Sequence, residues 1–364
     1  MKRTVIAALL GALTLGPVVA RATAAPAPSA PASDVVEDAD WTLSAQLPDG
    51  AIAHYTDKHE VWPYLANFAA MGLARAAEVT SDGRYSEAAW RWLSWYQAHQ
   101  DANGYVTDYV VNADGSLTSK GDMDSTDAYA GTFLLAARRT FLAKGDQTRL
   151  RGLAPALVAA VRAIASTQDT DGLTWAKPSW KVKYLMDQAE VYAGLRAAAD
   201  LARVLGDQTL RRNANAAADR VAAAVSGLWN PSTSTYDWAQ HESGARETSK
   251  WATFYPDAQE QMWAVAFGLT DAARGRDLVA RFEAAHPRWD QPAATDTYSG
   301  GTEPVGYWPV TGWAYARTGN QSRAQTGANN IRTAAKAASR PWPYTTASAG
   351  QLITLGSSDT RYMP

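Results

Sequence analysis

Apolar residues recur at helical spacing along five segments of the chain. These segments begin near Trp62, Met123, Met186, Tyr255 and Trp308. A turn signal and a second, more polar helical segment follow each of them. Two of the turns, at Gly145 and Gly206, share the sequence Gly-Asp-Gln, in which Gly ends one helix and Asp caps the next. The pattern therefore predicts helical hairpins, each with an Ala-rich inner helix and a charged outer helix.

A second repeated motif predicts a sixth hairpin. Gln100 and Gln168 each begin a Gln-x-x-x-Gly motif after an outer segment, and Gln46-Leu-Pro-Asp-Gly has the same form. Residues 36–46 are therefore expected to form an outer helix whose inner partner lies at the other end of the chain, around 348–355. Pairing of these segments closes a ring, so the predicted fold is all-α, an (α/α)6 toroid of six helical hairpins. Strand-type alternation is scarce, and only 105–111 favours a short β-hairpin.

The N-terminal residues carry a different signal. Lys2 and Arg3 precede an apolar run, and Ala22-Thr-Ala offers a small-residue cleavage site, which is typical of a secretory signal peptide. We expect a signal peptide over 1–24, an Ala- and Pro-rich leader over 25–35, and one α/α-barrel catalytic domain over 36–364. The chain has no Cys, which excludes a lipid anchor on an N-terminal cysteine. A secreted, extracellular protein without a membrane anchor is expected.

Composition narrows the classes of partner. A net charge of −2 over 364 residues lacks the concentrated basic face that a nucleic acid requires. The five histidines form no His-x-x-x-His pair, so no metal site is expected, and no cofactor-binding motif occurs. The chain has 15 Trp and 16 Tyr against 6 Phe. Because these rings combine an apolar face with a polar edge, they favour a carbohydrate as partner. We also expect a monomer without a cofactor.

Three pairs of carboxylates occupy equivalent places in the repeat. Each pair opens an inner segment, with its members three residues apart. The pairs are Asp124 with Asp127, Asp187 with Glu190, and Asp257 with Glu260. Stacking of the hairpins brings all six to one end of the ring, where burial and like charges raise carboxyl pKa values and prepare acid/base chemistry. Each acid alone is equally consistent with helix capping.

The second inner segment begins with a recognisable pattern. It reads Asp124-Ser-Thr-Asp-Ala-Tyr-Ala and continues with Leu134-Leu-Ala. This pattern resembles the six-hairpin glycosidase superfamily, with a distant likeness to glycoside hydrolase family eight and its relatives. The resemblance implies hydrolysis of glycosidic bonds with inversion at the anomeric carbon. That family usually carries a general-acid Glu in the first inner helix, whereas 62–77 contain none and Glu60 lies just before.

The expected function is that of a secreted glycoside hydrolase, which cleaves glycosidic bonds of a polysaccharide or oligosaccharide by carboxylate acid/base catalysis. The expected catalytic residues are Asp124, Asp127, Asp187 and Glu260. Candidate substrate-binding residues are further acids and aromatic rings that suit sugar stacking: Glu60, Trp62, Tyr129, Trp175, Trp180, Glu190, Trp238, Trp251, Tyr255, Asp257 and Trp308. For each Trp alone, core packing is an equal alternative.

Other functions remain open at this point. A polysaccharide lyase on the same toroid needs a cation to neutralise a uronic acid, and His241, Lys181 and Lys183 are available for it. A non-catalytic carbohydrate-binding protein needs the aromatic rings alone. A terpenoid-cyclase-like toroid is favoured only by a faint repeat from Gln168 to Trp175, and export argues against it. The lyase is distinguished by its product, which carries an ultraviolet-absorbing double bond.

Overall fold

The computed structural model describes residues 32–291 and 306–355, and within these ranges the chain is mainly helical. The helices are α1 (Ala32–Ser44), α2 (Pro63–Thr80), α3 (Gly83–His99), α4 (Thr126–Lys144), α5 (Gln147–Thr167), α6 (Leu185–Leu205), α7 (Gln208–Ala224), α8 (Gln259–Ala266), α9 (Ala272–Ala285), α10 (Val310–Arg317), α11 (Gln321–Ala337) and α12 (Thr346–Leu355). The strands are β1 (Glu60–Val61), β2 (Tyr109–Val111), β3 (Leu117–Ser119), β4 (Val182–Tyr184), β5 (Trp229–Asn230), β6 (Thr235–Tyr236), β7 (Ala239–His241) and β8 (Arg246–Glu247). A 3-10 turn spans Val225–Leu228, and an irregular turn spans Phe254–Ala258.

The even-numbered helices form a closed inner ring. Helix α2 packs between α12 and α4, α6 packs between α4 and α8, and α10 joins α8 to α12. The odd-numbered helices surround this ring, each beside its hairpin partner. The architecture is therefore the all-α toroid that the repeat predicted, and the hydrophobic core fills the space between the two layers.

Close approach of the inner helices explains why their sequences are rich in small residues. A Cβ atom on Gly72 would lie 2.3 Å from the Cα atom of Gly350, and a Cβ atom on Gly194 would lie 2.3 Å from the carbonyl oxygen of Gly131. These glycines stand where α2 meets α12 and where α4 meets α6. Any larger side chain at these positions would force the helices apart.

The two ends of the chain close the ring, as the repeat predicted. The completely buried Asp38 on α1 accepts a hydrogen bond of 2.8 Å from Nε of Arg332 on α11. The amide of Thr346, the first residue of α12, donates to the carbonyl oxygen of His54. Helix α1 begins at Ala32, so the last residues of the expected leader, 25–35, belong to it. The expected signal peptide, 1–24, lies outside the described residues.

The outer helices carry the Asp caps that the turn motifs predicted. Asp146 accepts a hydrogen bond from the amide of Arg149, and Asp207 accepts one from the amide of Leu210. The preceding Gly145 and Gly206 have φ of 68° and 75°, a left-handed conformation that Gly adopts without steric cost. Capping therefore explains Asp146 and Asp207.

Long connections and short sheets gather at the end of the ring where the inner helices begin. Strands β1, β2 and β3 form one antiparallel sheet, β4, β7 and β8 form a second, and β5 pairs with β6. The hairpin expected at 105–111 is observed only in part, because 109–111 form β2 but its partner β3 lies beyond this range, at Leu117–Ser119. One described helix, α5, is long and apolar enough to cross a membrane by length and composition, although half of its apolar window is buried in this fold.

Candidate active site

A cavity of about 410 Å³ opens at the end of the ring where the inner helices begin. Each inner helix, or the segment that leads into it, contributes to its wall. The lining residues are Trp62, Tyr64, Leu65, Asp108, Asp124, Tyr129, Met186, Tyr255, Trp263, Tyr307, Trp308, Trp342, Pro343, Thr345, Ala347, Ser348 and Gln351. The wall therefore combines two carboxylates with eight aromatic rings.

The paired acids are not N-cap residues of the inner helices. The N-cap positions of α4, α6 and α8 are occupied by Ser125, Tyr184 and Ala258, and none of these makes a side-chain capping bond. The paired acids lie within the first turns or beside them, and five of the six are buried. Their recurrence in the sequence therefore reflects convergence at one end of the ring rather than repeated capping.

Asp124 is the paired acid that reaches the cavity. It lies just before α4 on the cavity wall and is the most exposed of the six. Limited hydration raises the pKa of its carboxyl. The chain beside it is fixed by Lys177, whose ammonium donates to the carbonyl oxygen of Met123 at 2.6 Å and to Asp122 at 2.7 Å. The backbone next to Asp124 is therefore held in place at the cavity wall.

Asp127 lies behind the wall and is completely buried. Its Oδ2 accepts a hydrogen bond of 2.6 Å from the hydroxyl of Thr174, and its Oδ1 accepts one of 2.8 Å from the amide of Ala128. Burial nevertheless raises the pKa of Asp127 to about 7, because the cost of desolvation exceeds the gain from both hydrogen bonds.

Asp187 is buried next to other acids. Burial, followed by the charges of Asp127 and Glu190, raises its pKa well above the usual range. Its Oδ2 has no hydrogen-bond partner among the described residues. These surroundings therefore favour the protonated form of Asp187.

Glu190 is the acid that contacts the cavity wall from behind. Its Oε1 accepts hydrogen bonds from the hydroxyl of Tyr64 at 2.7 Å and from the indole of Trp263 at 2.8 Å. Both rings line the cavity. Burial raises the pKa of Glu190 to about 8, and its Oε2 has no partner among the described residues. Glu190 therefore holds two wall residues in place rather than touching a substrate itself.

Glu260 also lies behind the cavity wall and contacts one of its residues. Its Oε2 accepts a hydrogen bond of 3.0 Å from the amide of Met186, whose side chain lines the cavity. Burial raises the pKa of Glu260 well above the usual range. Glu260 therefore lies behind Met186 rather than among the lining residues of the cavity.

The remaining predicted acids have other surroundings. Asp257 accepts a hydrogen bond of 2.8 Å from the amide of Lys250 and holds the loop before α8 rather than the cavity wall. Glu60 lies at the rim, where it accepts a hydrogen bond from the indole of Trp62 at 2.6 Å and forms an ion pair with Lys120 at 2.8 Å. Partial burial works to raise the pKa of Glu60, but the bonds from Lys120 and Trp62 outweigh it and the pKa is lowered.

Sequence reasoning missed Asp108. It precedes β2 in the long connection between α3 and α4, and its Oδ1 accepts a hydrogen bond of 2.8 Å from the hydroxyl of Tyr129. Burial raises the pKa of Asp108 to about 6 despite that bond. Asp108 belongs to no helical repeat, so only the predicted hairpin at 105–111 pointed to its neighbourhood.

Four of the predicted aromatic residues line the cavity. They are Trp62, Tyr129, Tyr255 and Trp308. The rings of Tyr255 and Trp308 stack at 4.9 Å between centroids, and Trp62 stacks on His54 at 4.7 Å. Tyr64, Trp263, Tyr307 and Trp342 complete the aromatic wall and were not predicted, because the sequence pattern does not separate a wall residue from a core residue.

The other predicted tryptophans lie outside the cavity. The ammonium of the buried Lys183 lies 3.9 Å from the ring centre of Trp175, so this face is closed to a sugar. Trp251 packs against the hydrophobic core. Trp180 and Trp238 lie beyond the rim, on the loop before α6 and on the segment that leads into β7.

The cations that a lyase would use are paired with acids. Lys183 donates to Asp169 at 2.7 Å and to Asp171 at 2.6 Å, and it is almost completely buried. Lys181 forms an ion pair with Glu242 at 2.6 Å, and His241 lies 2.9 Å from Glu247. Among the described residues, no group of three or more His, Asp and Glu side chains is arranged to hold a metal ion.

Comparison with solved structures identifies the fold. The GH63 mannosylglycerate hydrolase from Thermus thermophilus, in complex with glucose, matches with a TM-score of 0.62 and 14% identity over 90% of this chain and 99% of that chain. A structure described as a wild-type glycosidase matches with a TM-score of 0.62 and 15% identity over 91% and 97%. An uncharacterized conserved protein from Thermus thermophilus matches with a TM-score of 0.64 and 14% identity over 90% and 99%. Comparisons with protein-family models and with curated proteins give no match.

These matches define the class of fold. The chain has the all-α toroid of its glycosidase neighbours over nine-tenths of its length. At 14–15% identity the likeness shows the fold alone, so the activity has to be argued from the cavity.

Proposed function

We propose that this protein is a glycoside hydrolase whose substrate binds in the cavity at the inner-helix end of the toroid. The observation that carries the proposal is the combination of two accessible carboxylates, Asp108 and Asp124, with an aromatic wall in one cavity. Aromatic faces suit the C–H faces of sugar rings, and paired carboxylates suit the cleavage of a glycosidic bond. The glycosidase neighbours on the same fold support this assignment.

Glycosidic cleavage needs one protonated and one ionised carboxyl. In the proposal, Asp108, whose pKa is about 6, donates its proton to the leaving oxygen. Asp124 takes a proton from a water molecule, whose oxygen attacks the anomeric carbon as the glycosidic bond breaks. This sequence inverts the anomeric carbon and restores the enzyme when Asp108 and Asp124 exchange a proton with solvent. Inversion is also what the resemblance to family eight implies.

Asp127, Asp187 and Glu260 take a supporting part in this proposal. Each is at most 4% exposed, so each lies behind the residues that a substrate contacts. Burial raises the pKa of each, which favours the protonated form of all three. A mainly neutral layer behind the wall limits the negative charge around Asp124, which allows that carboxylate to ionise.

A neutral sugar suits the cavity better than a uronic acid. The described lining residues include no Lys, Arg or His, and the sequence of 292–305 contains none either. A uronate would therefore meet two carboxylates, and the cations that act on them, Lys120 and Lys177, are already paired with Glu60 and Asp122. The ion-paired states of Lys181 and Lys183 likewise favour hydrolysis over elimination by a lyase.

The test is a screen of the full chain against cellulose, xylan, mannan, starch, β-1,3-glucan, chitosan and pectin. We expect new reducing ends from a neutral polysaccharide or its oligosaccharides, with no rise in absorbance from an unsaturated product. An unsaturated product from pectin would favour the lyase instead. Binding of a glycan without new reducing ends would favour a non-catalytic carbohydrate-binding protein.

Export completes the proposal. The basic and apolar residues at 1–24 support a signal peptide, and a polysaccharide is a substrate met outside the cell. Detection of the mature protein in culture medium, with its N-terminus near residue 25, is the matching measurement.

A further inference from the structure

A row of three aromatic residues, one exposed and two partly buried, lies just outside the cavity. Trp180 is 53% exposed, and its indole donates a hydrogen bond of 3.0 Å to the hydroxyl of Tyr184. The rings of Tyr184 and Trp238 are nearly parallel, at 8° and with centroids 6.1 Å apart. We call these three residues the aromatic strip. Among the described residues, Trp180 is one of two tryptophans that are more than half exposed, and the other, Trp342, lines the cavity.

The backbone holds Trp180 in a fixed place. Lys177 and Trp180 form an antiparallel bridge, and the amide of Val182 donates to the carbonyl oxygen of Trp180 at 3.0 Å. Strand β4, which follows, pairs with β7. The apolar surface of Trp180 stays in water although its backbone is fixed, so the ring gives up the stability that burial would provide. An exposed aromatic ring of this kind is typical of a binding surface.

The strip joins the cavity directly. Tyr184 is two residues from Met186, which lines the cavity, and its pKa is raised by partial burial and then by the charges of Asp187, Asp124 and Glu260. Lys177, which bridges to Trp180, also holds Met123 beside Asp124. The strip and the reacting carboxylate therefore belong to one connected piece of structure.

We propose that the aromatic strip is an outer subsite, on which sugar units of a carbohydrate chain stack after the chain leaves the cavity. The inference rests on the proposed function and narrows its substrate class. The preferred substrate is a chain that extends past the cavity, rather than a disaccharide or a small glycoside that the cavity alone would hold. Trp180 supplies an exposed face for one sugar unit, and Tyr184, which contacts both Trp180 and Trp238, links the strip to Met186 at the cavity wall.

The test compares short and long substrates of one kind. Disaccharides and hexasaccharides of the cello-, xylo-, manno- and malto- series are each incubated with the wild-type chain, Trp180→Ala and Trp180→Phe. The KM for hydrolysis is measured for each pair of substrate and protein. We expect Trp180→Ala to raise KM for the cleaved hexasaccharide about five- to tenfold, a loss in the range of one aromatic contact. The rise for the disaccharide should be much smaller, and Trp180→Phe should recover most of the loss because it keeps a ring.

The control removes exposed apolar surface far from the strip. Val158 on α5 is 44% exposed, so Val158→Ala should leave KM unchanged for both lengths. An equal effect of Trp180→Ala on both lengths, or no effect on either, would overturn the strip as a subsite. So would a change in oligomeric state by light scattering, with KM unaltered, because the exposed ring would then serve an interface.

The two proposals fail in different ways. If the wild-type chain cleaves none of these oligosaccharides and none of the polysaccharides in the screen, the proposed hydrolysis fails. The strip is then tested by titrating each of the four hexasaccharides into the protein, with tryptophan fluorescence as the measure of binding. Weaker binding by Trp180→Ala than by wild type supports the strip, and equal binding or no binding refutes it.

Discussion

The substitution Glu190→Gln tests what it costs in stability to ionise a buried acid, because Gln keeps the shape of Glu but cannot ionise. The folded protein keeps Glu190 protonated up to a pKa of about 8, whereas an exposed Glu ionises near 4.5. Since the unfolded chain releases this proton first, the contribution of Glu190 to stability is fully present below about pH 4.5 and is lost as pH rises towards 8. At pH 7 the difference amounts to about 3 kcal/mol, and at pH 4.5 to less than about 0.5 kcal/mol.

Gln keeps an oxygen to accept from Tyr64 and Trp263 but cannot ionise. Its amide group adds a buried donor at the position of the unpartnered Oε2, which costs about 1–3 kcal/mol at every pH. We therefore expect the free energy of unfolding of Glu190→Gln, relative to wild type, to improve by about 3 kcal/mol between pH 4.5 and pH 7.

Urea unfolding followed by tryptophan fluorescence at the two pH values measures this change. The exposed Glu87 provides the control Glu87→Gln, whose relative stability should vary by less than about 0.5 kcal/mol. A relative stability of Glu190→Gln that does not change with pH would refute the reasoning.

Three further outcomes follow from the geometry. Gly194→Ala should lower the free energy of unfolding by about 2–4 kcal/mol, because its Cβ meets the backbone of Gly131, whereas Gly152→Ala has open space and should be neutral or stabilising in thermal unfolding. Asp38→Asn should cost about 3 kcal/mol in urea unfolding, because the buried Arg332 loses its 2.8 Å ion pair and keeps only Asp34 at 3.9 Å, whereas the exposed Asp277→Asn should cost less than about 1 kcal/mol. Wild-type kcat/KM should fall as pH rises through about 6, where Asp108 loses the proton that it donates. The residual kcat/KM of Asp108→Asn should show no such fall with pH.

The sequence predicted the toroid because the fold repeats. Gly145-Asp-Gln and Gly206-Asp-Gln mark equivalent turns, and both motifs correspond to a left-handed Gly followed by a capping Asp. The motif at Gln46 has the same form as those at Gln100 and Gln168, and it located the outer helix that closes the ring. Local rules of this kind need only neighbouring residues, so they can be recognised without coordinates.

The site was predictable only in part, because access to a cavity depends on packing between distant segments. The acids of α4, α6 and α8 do converge, but Asp127 and Glu260 differ from Asp124 in burial rather than in sequence position. Asp108 reaches the wall through β2, a strand outside the repeat. Trp175 has the composition of a sugar platform, yet the buried Lys183 covers its face.

The most direct test of the proposed catalysis is the release of reducing ends by Asp124→Asn on the substrate found in the screen. Asn keeps the size of the side chain but cannot take a proton from water, so kcat should fall at least about 100-fold. Asp114→Asn, in the exposed turn between β2 and β3, is the matched control and should retain wild-type kcat. A kcat of Asp124→Asn within a few-fold of wild type, with the fold intact by circular dichroism, would contradict the role of Asp124 and with it the proposed site.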